Sequence, residues 1–181
     1  MQKNNEQSCP VVTQSDKHAL RILSLSNYSF SRGVDRLLEI AEMTPFTIRK
    51  EIAFFVAGDM RDTSFLGLVN PWKISFQEKV RRSSVREMFY FFGHVENPDK
   101  LLKSCNILMK LTRDNNPWGR DIIEALASGL AVVSIGKYDK FVKNNETGLL
   151  QELYEPTEIV EWLQELIADQ TKIKIFSDNA K

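Results

Sequence analysis

The chain has 181 residues, enough for one domain with a full hydrophobic core. Its 24 Lys and Arg balance 24 Asp and Glu, and a formal net charge of zero argues against bulk electrostatic binding to nucleic acid. Cys9 and Cys105 are too few and too far apart for a disulfide framework or a zinc site, and no apolar run is long enough to cross a membrane.

Residues 1–17 are polar and without periodicity, which predicts a flexible lead-in, and they lack the apolar core of a signal peptide. A reducing, cytoplasmic setting is the expectation. The domain is expected over 18–181. Leu20-Arg21-Ile22-Leu23-Ser24-Leu25 reads as a first strand. Val34 to Met43 has helical spacing, with Leu37, Leu38, Ile40 and Ala41 as its apolar face. Ile52 to Ala57 is a second strand closed by Gly58, and the charged stretch from Ile74 to Arg86 reads as a solvated helix. Met88 to Phe92 is a third strand closed by Gly93, a short helix follows Pro98, and Ile107-Leu108-Met109 is a fourth strand.

The stretch from Asn116 to Gly129 is the most informative in the chain. Asn116 suits an N-cap, Pro117 the first helical position, and Gly119 a close approach of backbone to ligand. Ile122, Ile123 and Leu126 predict a buried stripe, and Gly129 a C-terminal stop. Such a loop at a helix N-terminus suits an anion or a sugar hydroxyl, and Glu124, one turn from Arg120, can reach such a ligand. Ala131 to Ile135 is a fifth strand, a short helix is expected around Phe141, and Gly148-Leu149-Leu150 precedes an amphipathic helix over Pro156 to Ala168. Strand and helix in this rhythm predict an α/β fold, a parallel sheet with helices on both faces. Ligands of such sheets bind at the carboxyl ends of the strands, where strand order reverses, and Gly33, Gly58, Gly93, Gly119 and Gly136 flank those ends.

Together these segments resemble the C-terminal, donor-binding domain of a retaining glycosyltransferase of family 4, a member of glycosyl transferases group 1. The resemblance covers roughly residues 19–168. It is carried by Leu23 to Asn27 with Arg32-Gly33-Val34-Asp35, Phe55 to Asp59, Phe91-Phe92-Gly93-His94-Val95, Asn116 to Gly129, and Asn145 to Leu150. It implies a Rossmann-like half of a GT-B fold that binds a nucleotide sugar and passes the sugar to an acceptor with retention, in polysaccharide or glycoconjugate synthesis. It assigns Asn116 and Glu124 as the catalytic pair and Asn27, Arg32, Gly33, Gly93, His94, Val95, Pro117, Trp118, Gly119 and Arg120 to donor binding. Glu124 takes the ribose and Arg32 the diphosphate.

Two departures stand out. The family places a carboxylate at both ends of its paired motif, and here the first position, eight residues before Glu124, is Asn116. The family also places an arginine where Asn27 stands and a lysine where Arg32 stands. No D-x-D pair is present, so a metal is not expected and no cofactor is implied beyond the donor substrate. The Lys79, Arg81, Arg82 and Arg86 group reads as a wet helix face, with peripheral contact to anionic lipid as its alternative. His18 and Cys105 carry no assigned role, Cys105 reading as a small core residue. The resemblance implies an N-terminal acceptor domain as well, and no segment of this sequence is expected to supply it. The expectation is an excised domain, a truncated product or one subunit of a split enzyme, inactive without its N-terminal acceptor partner. The competing reading is a non-catalytic or degenerate nucleotide-sugar module that acts with a partner. A nucleotide-sugar epimerase lacks placeable acid and base residues, and a flavodoxin-like signalling domain would want acidic residues where Ser26-Asn27-Tyr28 stand.

Overall fold

The computed structural model of the protein describes residues 18–60 and 75–180. The expected lead-in, Cys9 and Ile74 lie outside the described residues. The apolar runs form six strands: β1 (Leu20–Leu25), β2 (Ile52–Ala57), β3 (Phe89–Gly93), β4 (Ile107–Lys110), β5 (Ala131–Ile135) and β6 (Gly148–Gln151). Between and after them lie α1 (Arg36–Met43), α2 (Phe76–Arg82), α3 (Asp99–Ser104), α4 (Arg120–Ala127), α5 (Pro156–Ala168) and α6 (Thr171–Asn179). The strands make one sheet in the order β3-β2-β1-β4-β5-β6, and every pairing is parallel. This is a Rossmann-like α/β fold, and its order reverses between β1 and β4.

Alternation along the strands sends side chains to two cores, one on each face of the sheet. Ile22, Phe54, Ile107 and Val133 join Leu37 and Ile40 of α1, Phe76 of α2 and Leu163 of α5. Leu23, Phe55, Leu108 and Val132 join Leu101 and Leu102 of α3 and Ile122 and Ala125 of α4. Phe54 stacks on Phe89 at 4.9 Å between ring centroids, and both are buried. Full burial of one such ring contributes about 1.5–3 kcal/mol.

Several local expectations are corrected. α4 starts at Arg120 with Gly119 as its N-cap, so Asn116 does not cap it and Pro117 is not its first residue. Tertiary contacts hold 116–119 out of the helix: Lys110 Nζ donates to the Trp118 carbonyl at 3.0 Å, and the Pro117 ring fills the space beside Gly136. Ile123 is exposed, and the buried face of α4 is Ile122, Ala125 and Leu126. The stop at Gly129 is as expected, with Gly129 N–H donating to Leu126 O and Leu130 N–H to Ala125 O. No helix forms around Phe141; Lys143 N–H donates to Thr147 Oγ1 at 2.9 Å instead, and Asn144 bridges to Gly148. α2 is shorter than the charged stretch that predicts it, because Ser83 ends it and a 3-10 turn, Arg86–Met88, follows. On its surface Arg81 and Arg82 both pair with Glu78 at 2.7 Å, and Arg86 pairs with Glu87. α6 adds to the expected elements, and its Phe176 stacks on Trp162 of α5 at 5.9 Å.

Candidate functional site

A cleft of about 430 Å³ opens at the carboxyl ends of β1, β2 and β4, where the strand order reverses. Its walls come from strand ends, the turns after them and the start of α4. The turn after β1 brings Ser26, Asn27 and Arg32, and the turn after β3 brings His94, Val95 and Glu96. The end of β4 brings Lys110, and the start of α4 brings Gly119, Arg120, Asp121 and Glu124.

The turn after β1 is held from below. Gly33 has φ +65°, and a Cβ there would run into the Leu111 carbonyl. Arg36 Nη1 donates to the carbonyls of Leu111 and Thr112 at 2.9 and 3.0 Å, while its guanidinium lies 4.0 Å from the Tyr154 ring centroid. Arg113 grips Asp35 and also donates to the Phe30 carbonyl at 2.6 Å. The Asp35 hydrogen bonds push the Arg113 pKa upward, while burial, and then Arg113 nearby, push that of Arg36 downward. Tyr154 donates to Glu39 Oε2 at 2.9 Å; burial, followed by that bond, raises its phenol well above the ordinary range. The turn that carries Arg32 is thus tied to the loop after β4, across the switch point.

Of the residues singled out in the sequence, Asn27, Arg32, His94, Val95, Gly119, Arg120 and Glu124 line this one cleft. Asn27 is already engaged, its Oδ1 accepting from Asp59 N–H at 2.8 Å. Arg32 donates to Ser26 Oγ at 3.4 Å. Glu124 pairs with Arg120 at 3.3 Å, with side chains 38% and 90% exposed. Gly33 lies beneath the cleft rather than on its wall, and Gly93 faces an adjoining hollow with Asp59, Met60 and Phe91 that His94 also borders. Asn116, Pro117 and Trp118 are not on the wall; they line a second, more apolar hollow with Tyr138, Phe141 and Leu153. Among the described residues the Asn116 Oδ1 atom is buried without a hydrogen-bond partner.

Glu96 is a cleft residue that sequence reasoning missed, and so are Lys110 and Asp121. The latter two pair at 2.8 Å with side chains 17% and 21% exposed. The only signal in the sequence was a charged residue closing an otherwise apolar strand. With them the cleft is lined by three cations, Arg32, Lys110 and Arg120, and three carboxylates, Glu96, Asp121 and Glu124. Among the described residues Arg32 is the cation of the three that makes no ion pair. The arrangement can receive an anion between Arg32 and the N-terminus of α4, with a carboxylate beside it for hydroxyl groups.

The family model for glycosyl transferases group 1 matches residues 8–181. The chain belongs to this family. The group 1 domain is similar in fold to HepE of Anabaena, solved in complex with UDP, with a TM-score of 0.73 at 19% identity. That match covers 91% of this chain and 43% of HepE. It is similar to WaaG, a glycosyltransferase involved in lipopolysaccharide biosynthesis, with a TM-score of 0.73 at 20% identity over 91% of this chain and 42% of WaaG. The C-terminal domain of the group 1 protein LpcC from Francisella tularensis matches with a TM-score of 0.71 at 19% identity, over 90% of this chain and 83% of that one. The group 1 domain therefore spans less than half the length of HepE and WaaG. No curated protein matches it.

Proposed function

We propose that the chain is the C-terminal, donor-binding domain of a retaining family 4 glycosyltransferase of GT-B architecture. The observation that carries this is the cleft itself: three stretches of the chain, with Arg32, with His94, and with Lys110 and the start of α4, meet at the point where strand order reverses. HepE has this fold and is solved with UDP and with UDP-glucose, which supports a nucleotide sugar as the ligand.

In this assignment the diphosphate lies against the N-terminus of α4, and Arg32 of the same cleft neutralises it. Glu124 exchanges Arg120 for the ribose hydroxyls. His94 and Val95 border the base, and Asn116, Pro117 and Trp118 form the sugar end of the loop. As the bond between sugar and diphosphate breaks, charge grows on the leaving phosphate, and donors fixed in advance lower that barrier. A hydrogen bond to a charged group is worth about 1.5–3 kcal/mol, so these groups position the donor without supplying a whole rate enhancement. The acceptor wall comes from a second domain or subunit, so the chain alone binds donor and transfers nothing. Calorimetric titration with UDP, GDP and ADP sugars tests this, with an EDTA repeat expected to leave the heat unchanged. No heat with any of them overturns the proposal.

A second reading, a nucleotide-sugar module without catalysis, is favoured by Asn116, which carries no charge and lies off the cleft wall. Asn116→Glu in the protein joined to its acceptor domain separates the two. A domain that already transfers sugar before the change excludes the second reading, and transfer that appears only afterwards supports it.

A further inference from the structure

Lys110 sits in an arrangement that its own fold does not favour. It is the last residue of β4, the strand next to β1 at the switch point, and its side chain is 17% exposed. Its ammonium lies across the start of α4: a Cβ added to Gly119 would come within 2.5 Å of Nζ. The N-terminus of a helix carries partial positive charge, so a cation belongs at the other end. Asp121 in the first turn offsets the conflict by pairing with Lys110 at 2.8 Å. The Trp118 carbonyl accepts a second ammonium proton at 3.0 Å. An ammonium has three protons, and among the described residues these two bonds leave one over, in a cleft also lined by Arg32. Two sources of positive potential crowded together on a cleft wall, with a carboxylate holding them there, are the conditions for receiving an anion.

We propose that Lys110 is a second phosphate-binding cation of the cleft, beside Arg32 in its lining, and that Asp121 holds it in place until the diphosphate arrives. The proposal rests on the donor-binding reading above. On binding, the ammonium turns its remaining proton to a phosphate oxygen and keeps the Trp118 carbonyl, which fixes the turn that presents the α4 amides. Asp121 then acts as a brake on affinity, because its charge competes with phosphate for the same ammonium.

The test is calorimetry on the full chain with UDP, GDP and ADP, each beside its nucleoside, for wild type, Lys110→Met, Lys110→Arg and Asp121→Asn. Lys110→Met should weaken each diphosphate that wild type binds by about tenfold or more, as loss of a charged hydrogen bond requires, and leave its nucleoside within about twofold. Lys110→Arg should keep most of the affinity, and Asp121→Asn should tighten the diphosphate. A purely structural pair would give the opposite pattern: both neutral variants would lose diphosphate and nucleoside alike, and that result overturns the proposal. Lys110→Met binding diphosphate as wild type does removes the Lys110 assignment alone. A wild-type chain that binds no diphosphate removes this assignment together with the donor-binding reading.

Discussion

Arg113 and Asp35 meet in a two-pronged ion pair, Nη1 to Oδ1 at 2.8 Å and Nη2 to Oδ2 at 2.6 Å, that ties the turn after β1 to the loop after β4. The side chains are 21% and 30% exposed, so solvent screens the pair only in part. Asp35→Asn should lower unfolding free energy by about 1–2 kcal/mol in urea, the value of a charged hydrogen bond discounted for exposure. Combined with Arg113→Met, the loss should be smaller than the sum of the two single losses.

Gly33 lies at the centre of the same clamp. Alanine there would hold φ +65°, and its Cβ would strike the Leu111 carbonyl. The left-handed conformation alone costs about 1–2 kcal/mol, and the collision adds to it. Gly33→Ala should therefore lower the melting temperature. It should also weaken nucleotide binding, because Arg32 is the preceding residue.

Glu124 should betray its role through the sugar of the nucleotide. If it accepts the ribose hydroxyls, wild type should prefer a ribonucleoside diphosphate to the 2′,3′-dideoxy form by about tenfold or more. Glu124→Ala should erase that preference while leaving the dideoxy affinity close to wild type. Affinities by calorimetry that keep the preference in the variant would assign Glu124 to its Arg120 pair alone.

Cys105 gives a pH dependence of known sign. Burial pushes its thiol from 9.0 up to about 12, with Arg21 pulling slightly the other way. The folded state thus favours the protonated thiol. That contribution is fully present below the ordinary thiol value and is lost as pH rises from there toward about 12. In a Cys9→Ser background, stability should fall with pH above about 9, and Cys105→Ala should flatten the fall. At about pH 8 a thiol reagent should label Cys105 only as fast as the chain opens.

The sheet was legible because its strands are apolar runs bounded by glycine and charge, and β2, from Ile52 to Ala57, is buried throughout. Helix α5 was legible from the spacing of Ile159, Val160, Leu163 and Leu166, all buried. The start of α4 was not. Asn116 and Pro117 carry the local signature of a helix start, yet a bond from Lys110 and packing beside Gly136 hold them in the preceding loop. Tertiary contacts of this kind leave no trace in local propensity. The same reason hid Lys110, whose partner Asp121 is a neighbour only because β4 and α4 meet in space. Turn chemistry explains the missing helix near Phe141, where Thr147 Oγ1 takes the Lys143 N–H that a helix would have used.

The meeting of β1 with β4 joins residues 85 apart in sequence, as the bond from Arg21 N–H to Asn106 Oδ1 shows. Chains rich in such distant contacts fold slowly, because a long loop must close before the contact stabilises anything. The cleft straddles that seam, so it exists only once the two halves of the sheet have joined. A ligand that fills it can brace the finished molecule against coming apart while leaving the pace of its assembly unchanged.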